Sequence, residues 1–170
     1  MLTSTDLQSF MQQHSIAGEI LHLSVPTPTV ETAAQAVGTH PGQIVKSILF
    51  LVDSHPVLAI TCGTQPVEQR AIASLYGVGR KRVKLASPHI VLDISGYEVG
   101  AMPPFGHRQP LPTLLDQRVL EQLVVYAGGG AENALVRLKP EDIQRVTQAK
   151  VLDLVQLPAK EAGAADVLSP

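Results

Sequence analysis

Lys46 stands inside an otherwise apolar run, 44–52, that reads Ile-Val-Lys-Ser-Ile-Leu-Phe-Leu-Val. On a strand it shares a face with Ile48 and Phe50, which should point into the protein. Two readings follow. A lysine at a strand's end can snorkel to solvent, or a cation can be held at a pocket's mouth, ready for a phosphate or carboxylate.

Three other segments could do chemistry. Residues 96–107 read Gly-Tyr-Glu-Val-Gly-Ala-Met-Pro-Pro-Phe-Gly-His. Glycine lets backbone N–H groups approach a ligand, proline fixes their direction, and such a loop can bind a carbonyl oxygen or oxyanion with no charged side chain. A plain surface connection is the competing reading. The three glycines in Tyr126-Ala127-Gly128-Gly129-Gly130-Ala131-Glu132-Asn133 permit a tight bend or a close approach to ligand. Finally, Arg80, Lys81, Arg82 and Lys84 place four of the 13 basic residues within five positions. This is a solvated face or a compact phosphate-binding patch.

Several machineries are missing. There is no G-x-S-x-G elbow, no Walker A loop and no G-x-G-x-x-G after a strand. None of the six histidines has an H-x-x-x-H or C-x-x-C companion, so a zinc site has little support. The carboxylates form no obvious acid/base pair.

The elements that must position these residues are short. Thr3 to Asp6 caps an amphipathic helix ending near His14. A strand over 19–23 follows, then a helix from Thr29 through Ala36 stopped by Gly38. Strands 44–52 and 57–61, joined by a turn over 53–56, form a hairpin. Helices are predicted over 67–76, from Ser87-Pro88 towards Ile94, and over 140–147. Short strands are predicted over 113–115, 123–126, 134–138 and 151–155. Strands dominate the middle and helices are scattered among them. The pattern predicts a mixed α/β fold with a chiefly antiparallel sheet and short helices packed round it, in one domain ending near residue 158. The small, polar tail over 159–170 is expected to be loose.

Composition bounds the function. At 170 residues, 45% hydrophobic and 16% charged, the chain is a folded globule with one core. A net charge of −2 excludes a globally basic coat, so any RNA contact must be local. The single cysteine, Cys62, lies in an apolar run and reads as buried and inert, which fits a reducing, cytoplasmic setting. The N-terminus has no signal-peptide pattern, and no segment approaches the ~20 apolar residues of a membrane span.

Lys46-Ser47 in its strand, Gly96-Tyr97-x-x-Gly100, Pro103-Pro104-Phe105-Gly106-His107, Asp116 and the turn from Gly128 to Asn133 occur in the order and approximate spacing of one family. Over about residues 29–155 the chain resembles the YbaK family, the prolyl-tRNA-synthetase-associated, insertion-domain-like aminoacyl-tRNA deacylases. The resemblance implies a barrel-like, mostly antiparallel sheet with a pocket for the charged 3′ end of tRNA. It implies hydrolysis, in trans, of the ester between a wrong amino acid and the terminal ribose, with no cofactor or metal. Lys46 would engage the terminal adenosine or its phosphate, and the amides of Gly100, Ala101 and Met102 would hold the aminoacyl carbonyl. Gly96, Pro103, Pro104, Phe105, Gly106, His107, Asp116, Gly129 and Asn133 would help bind the substrate. Related insertion domains carry a histidine near the third motif; the best match here is Asn133.

The implied partners are a mischarged aminoacyl-tRNA and an aminoacyl-tRNA synthetase, with neither membrane nor DNA. An aminoacyl ester is already activated, so placing a water and polarising the carbonyl matter more than a nucleophile. The vicinal ribose hydroxyl or the substrate's amino group can handle the proton. Two alternatives stay open: a non-catalytic tRNA- or synthetase-binding module, and a hydrolase or binder of small nucleotide-like compounds.

Overall fold

The structure, a computed structural model, describes residues 1–155. The expected loose tail over 159–170 lies outside them.

Helix α1 (Ser4–Gln13) starts where Asp6 accepts the Thr3 N–H at 2.7 Å, and it buries Leu7 and Met11. Strand β1 (Glu19–His22) follows. Helix α2 (Val30–Val37) is capped by Thr29, whose hydroxyl accepts the Thr32 N–H, and Gly38 ends it in a left-handed conformation. The hairpin is longer than the sequence suggested. Strands β2 (Val45–Val52) and β3 (His55–Cys62) pair along their whole length, leaving only Asp53 and Ser54 in the turn. Both turn residues have positive φ, 48° and 67°, as a two-residue hairpin of type I′ demands. Pro56 is tolerated within β3 because β5 pairs with β3 only from Leu58 onward.

After α3 (Gln69–Tyr76) comes β4 (Val83–Leu85), hidden in the sequence by the basic run beside it. Helix α4 (Pro88–Ser95), β5 (Thr113–Asp116), β6 (Val125–Gly128), β7 (Ala134–Leu138), α5 (Pro140–Thr147) and β8 (Lys150–Leu152) complete the described chain.

The mixed α/β class and the predominance of antiparallel pairing stand; the single barrel-like sheet does not. There are two sheets, a three-stranded β1-β7-β6 and a five-stranded β4-β2-β3-β5-β8. The first is antiparallel throughout, whereas in the second β3–β5 and β5–β8 run parallel. The main core fills the space between the sheets and includes Leu7, Met11, Leu49, Leu58, Ile60, Val136 and Ile143. A second cluster, with Phe50, Val57 and Ala59, covers the other face of the larger sheet under Ile72 and Ala73 of α3. Strand β3 is thus buried on both faces, so it shows no polar alternation. An isolated parallel bridge, Ile44 to Tyr126, joins the sheets at the start of β2, where α2 packs through Ala33 and Ala34.

Candidate functional site

That seam between the sheets opens as a cleft of about 230 Å³. Its walls are the start of α2 (Thr29, Val30, Ala33), β2 from Val45 to Ile48, the loop residues Val99, Gly100 and Met102, and Gly128 and Leu135 behind them. The structure therefore brings together Lys46, Gly100 and Met102, which lie far apart in sequence. Among the described residues, Lys46 is the sole ionisable side chain lining the cleft.

Lys46 combines features of both sequence readings. It is the second residue of β2, partly buried, and its Nζ donates to the Gln65 carbonyl at 3.0 Å. Its other two N–H donors have no partner among the described residues. Burial lowers its pKa from the usual lysine value, with Cys62 and Glu31 acting in the opposite sense. An arriving anion would offset that desolvation.

In the loop that shares the lining, the Glu98 carbonyl accepts the Ala101 N–H at 3.1 Å, closing a turn in which Gly100 has a φ of +87°. A type II turn requires this conformation at its third residue. A Cβ on Gly100 would meet nothing within 4 Å, so the glycine is there for its backbone and not for clearance. The bond to Glu98 bears on the expected role of Ala101. The Ala101 N–H is used inside the loop and Ala101 is not among the residues lining the cleft, whereas Gly100 and Met102 are.

The rest of the loop holds these two in place. Ala101, Met102, Pro103, Pro104 and Phe105 are all buried. Phe105 stacks on Phe10 of α1 with ring centroids 5.6 Å apart, and Gly106 passes close beneath the same ring. His107 donates from Nε2 to the Pro103 carbonyl at 2.8 Å, since a carbonyl only accepts, and its ring meets Tyr97 edge-on. Burial pushes the His107 pKa below the ordinary histidine value, with the Pro103 bond acting against it. Gly96, with a φ of +86°, ends α4 and packs under Leu2, away from the cleft. Pro103, Pro104, Phe105, Gly106, His107 and Gly96 thus support the loop and do not themselves line the cleft.

The three glycines permit a close approach, but to protein. A Cβ on Gly128 would run into the Met102 carbonyl, and one on Gly129 would lie 2.6 Å from Ala134. Gly130 donates its N–H to the Ala101 carbonyl, and Ser4 donates its hydroxyl to the Gly129 carbonyl at 2.6 Å. Asn133 exchanges hydrogen bonds with Leu23 (Nδ2 to O 3.1 Å; Leu23 N–H to Asn133 O 2.7 Å). Together with the Thr27 N–H donating to Glu132, this pins the segment that leads into the cleft wall at Thr27. Asp116 is fully buried and lies off the cleft; its carboxylate accepts the backbone N–H of Arg118 and of Leu154, the latter at 2.7 Å. Its role in this structure is to tie the segment after β8 to β5. Cys62 is buried nearby, its thiol pushed up to about 11 by burial, which leaves it unreactive.

The basic run lies further along β2. Arg80 and Arg82 occupy a single 3-10 turn, and Lys84 sits on β4 opposite Leu51. Arg82 pairs with Asp53 at 2.8 Å, which leaves Arg80, Lys81 and Lys84 without an ion-pair partner among the described residues, Arg80 donating to the Val83 carbonyl at 3.5 Å. Sequence reasoning missed Ser47 as a site residue, along with Thr27, Val30 and Leu135. Ser47 lines the cleft with a buried hydroxyl that has no hydrogen-bond partner among the described residues. Its position beside Lys46 in an apolar strand was the available signal.

Comparison with known proteins agrees with this architecture. The family described as the aminoacyl-tRNA editing domain matches residues 24–146, so the chain belongs to that family. Multifunctional Ser/Thr-tRNA deacylase ProXp-y of Escherichia coli K12 is 28% identical over 72% of this chain and 75% of its own length. Uncharacterized protein YwhH of Bacillus subtilis is 23% identical over 85% of this chain and 91% of its own. The proline–tRNA ligase of Desulfotalea psychrophila is 31% identical over 69% of this chain, but only 20% of the ligase is matched. A crystal structure assigned provisionally as a trans-editing enzyme for prolyl tRNA synthetase superposes with a TM-score of 0.84 at 32% identity. It covers 91% of this chain and 97% of the other.

Proposed function

We propose that this chain is a trans-acting hydrolase that cleaves the ester of mischarged aminoacyl-tRNA. The observation that carries the reading is the cleft itself, whose lining brings Lys46 together with Gly100 and Met102 of the turn. The two loop amides donate to the ester carbonyl and, more strongly, to the oxyanion that forms when water adds to it. Collapse of that adduct breaks the bond to the ribose oxygen, which leaves with a proton. Among the described residues the cleft offers no histidine or carboxylate side chain for that proton, so the vicinal hydroxyl or the substrate's amino group carries it. Lys46 holds the terminal phosphate or adenosine with its two remaining donors. Lys81 and Lys84 meet phosphates further up the acceptor strand, and a synthetase that has released its mistake is the natural neighbour.

The names of the relatives support the same chemistry, while the amino acid removed from this chain's own substrate is set by the cleft's size. One methylene is worth about 1–3 kcal/mol in such a pocket, which is why a second, hydrolytic sieve is useful after synthesis. The test is release of amino acid from a panel of mischarged tRNAs. Rapid hydrolysis of one or a few supports the reading; binding without hydrolysis of any returns the chain to a tRNA-binding module. Hydrolysis of small aminoacyl compounds that is indifferent to salt would favour a substrate without tRNA.

A further inference from the structure

The loop that presents Gly100 and Met102 belongs to residues 96–112, which contain neither helix nor strand. A segment of that length keeps an amide in place only where other elements grip it. Residues 2–10 supply three grips. Leu2 donates its N–H to the Gly96 carbonyl at 2.7 Å, where the segment begins. Ser4 donates its hydroxyl to the Gly129 carbonyl, in the turn against which the loop rests. Phe10 stacks on Phe105 with ring planes 17° apart, and a Cβ on Gly106 would come within 3.2 Å of the same ring. This stretch precedes residues 24–146, which the editing-domain family matches.

Of the three, Phe10 has the most direct line to the loop amides. Phe105 is three residues from Met102, with Pro103 and Pro104 between them. Two successive prolines have fixed φ, so the stretch acts as a strut that passes a displacement on instead of absorbing it. His107 holds the strut at its other end through the bond to the Pro103 carbonyl. The Phe10 ring is itself held, since His14, four residues on, stacks on it with centroids 4.1 Å apart. Phe10 is only partly buried, whereas Leu7 and Met11 of the same helix are fully buried in the main core. Those two keep α1 docked when Phe10 is changed.

We infer that Phe10 is a positioning residue for the deacylation, setting the direction of the Met102 amide through Phe105 and the strut of Pro103 and Pro104. It does so without lining the cleft. This rests on the deacylase reading and adds to it a part for α1. Oxyanion donors act only while their direction is fixed in advance, and their supporting shell sets that direction. A misaimed amide forfeits more of its bond to the oxyanion than to the ground-state carbonyl, so the loss falls on kcat and not on KM.

Steady-state deacylation of the mischarged tRNA that the wild-type chain cleaves fastest tests this. Phe10→Ala is expected to lower kcat about 10- to 100-fold with KM little changed. Phe10→Leu keeps apolar bulk against Phe105 and should lose less in the same sense; it covers the case in which Phe10→Ala lowers Tm into the assay range. Ile72→Val, in the second core cluster under α3, lowers Tm away from the loop and should keep the wild-type kcat. A double-mutant cycle with Phe105→Leu tests the route. If Phe10 acts through Phe105, the double variant is no slower than the slower single one. Losses in kcat that multiply, a loss confined to KM, or an equal loss in Ile72→Val overturns the inference. So does a folded Phe10→Ala chain that cleaves at the wild-type rate. If the wild-type chain hydrolyses no tRNA ester, the function falls and the inference with it.

Discussion

Gly130 donates its N–H to the carbonyl oxygen of Ala101 at 2.9 Å, joining the turn after β6 to the loop that presents Gly100 and Met102. Two glycine-rich segments that look in sequence like separate ligand-binding loops are therefore one structure, the second serving as the bed of the first.

Gly128→Ala is the sharpest test of that bed. The new Cβ meets the Met102 carbonyl, a backbone atom that can yield only by moving the loop. Overpacking of this kind costs about 1–3 kcal/mol, and the displaced amides should lower kcat more than they raise KM. Thermal melting and steady-state kinetics check both. An unaltered kcat at a reduced Tm would show that the loop's position is not catalytic.

Lys46→Ala removes one hydrogen bond, to Gln65, from a partly buried site, so Tm should shift little. Hydrogen bonds to a charged group contribute about 1.5–3 kcal/mol, so kcat/KM is expected to fall by about 10- to 100-fold. Lys46→Arg should rescue poorly, because a longer planar cation does not fit a place shaped for a point charge. Full activity in Lys46→Ala would mean that the lysine only caps the strand against Gln65.

His107 makes stability depend on pH. Its unfolded value lies near 6.5 and burial lowers the folded value, so between the two the unfolded chain binds more protons. The contribution is complete above about 6.5 and is lost as pH falls through the window beneath it. Tm measured from pH 7.5 downward should decline more steeply for the wild type than for His107→Gln. Parallel slopes would show that this ring does not set the acid limb.

The basic run makes unequal contributions. Lys81→Gln with Lys84→Gln should raise the apparent KM for tRNA and flatten its dependence on salt, each lost phosphate contact reducing the slope by about 0.7–0.9. Arg82→Gln should do less, since Asp53 already neutralises it. Titrating KM against salt separates the variants, and equal effects from all three would contradict the pairing.

Much of this was legible in the sequence, for identifiable reasons. Thr3, Thr29 and Ser87 announce helix starts and Gly38 and Gly77 helix ends, and each does so in the structure. Lys46 stood out because a cation in an apolar strand needs an explanation. Strand β4 did not, since an edge strand of three residues beside a run of charges leaves no periodic trace. The parallel pairing of β3, β5 and β8 is a choice of partners across long connections, which hydrophobic pattern does not encode. Asp116 and Asn133 stand out in the sequence only through the resemblance to the family, and in the structure their side chains bond to Leu154 and Leu23. Only the folded chain reveals those acceptors and donors.

In the proposed mechanism backbone amides held by Gly100 stabilise the oxyanion, and single-turnover deacylation by Gly100→Ala measures that role without interference from binding. The substitution forces an L residue to a φ of +87°, at about 1–2 kcal/mol, with no steric clash to complicate the reading. The chain should therefore still fold while its amides turn away from the carbonyl. A loss of about 10²–10³-fold in the rate of ester cleavage, with binding little changed, is the expected result. A folded Gly100→Ala protein that deacylates mischarged tRNA at the wild-type rate would contradict the mechanism.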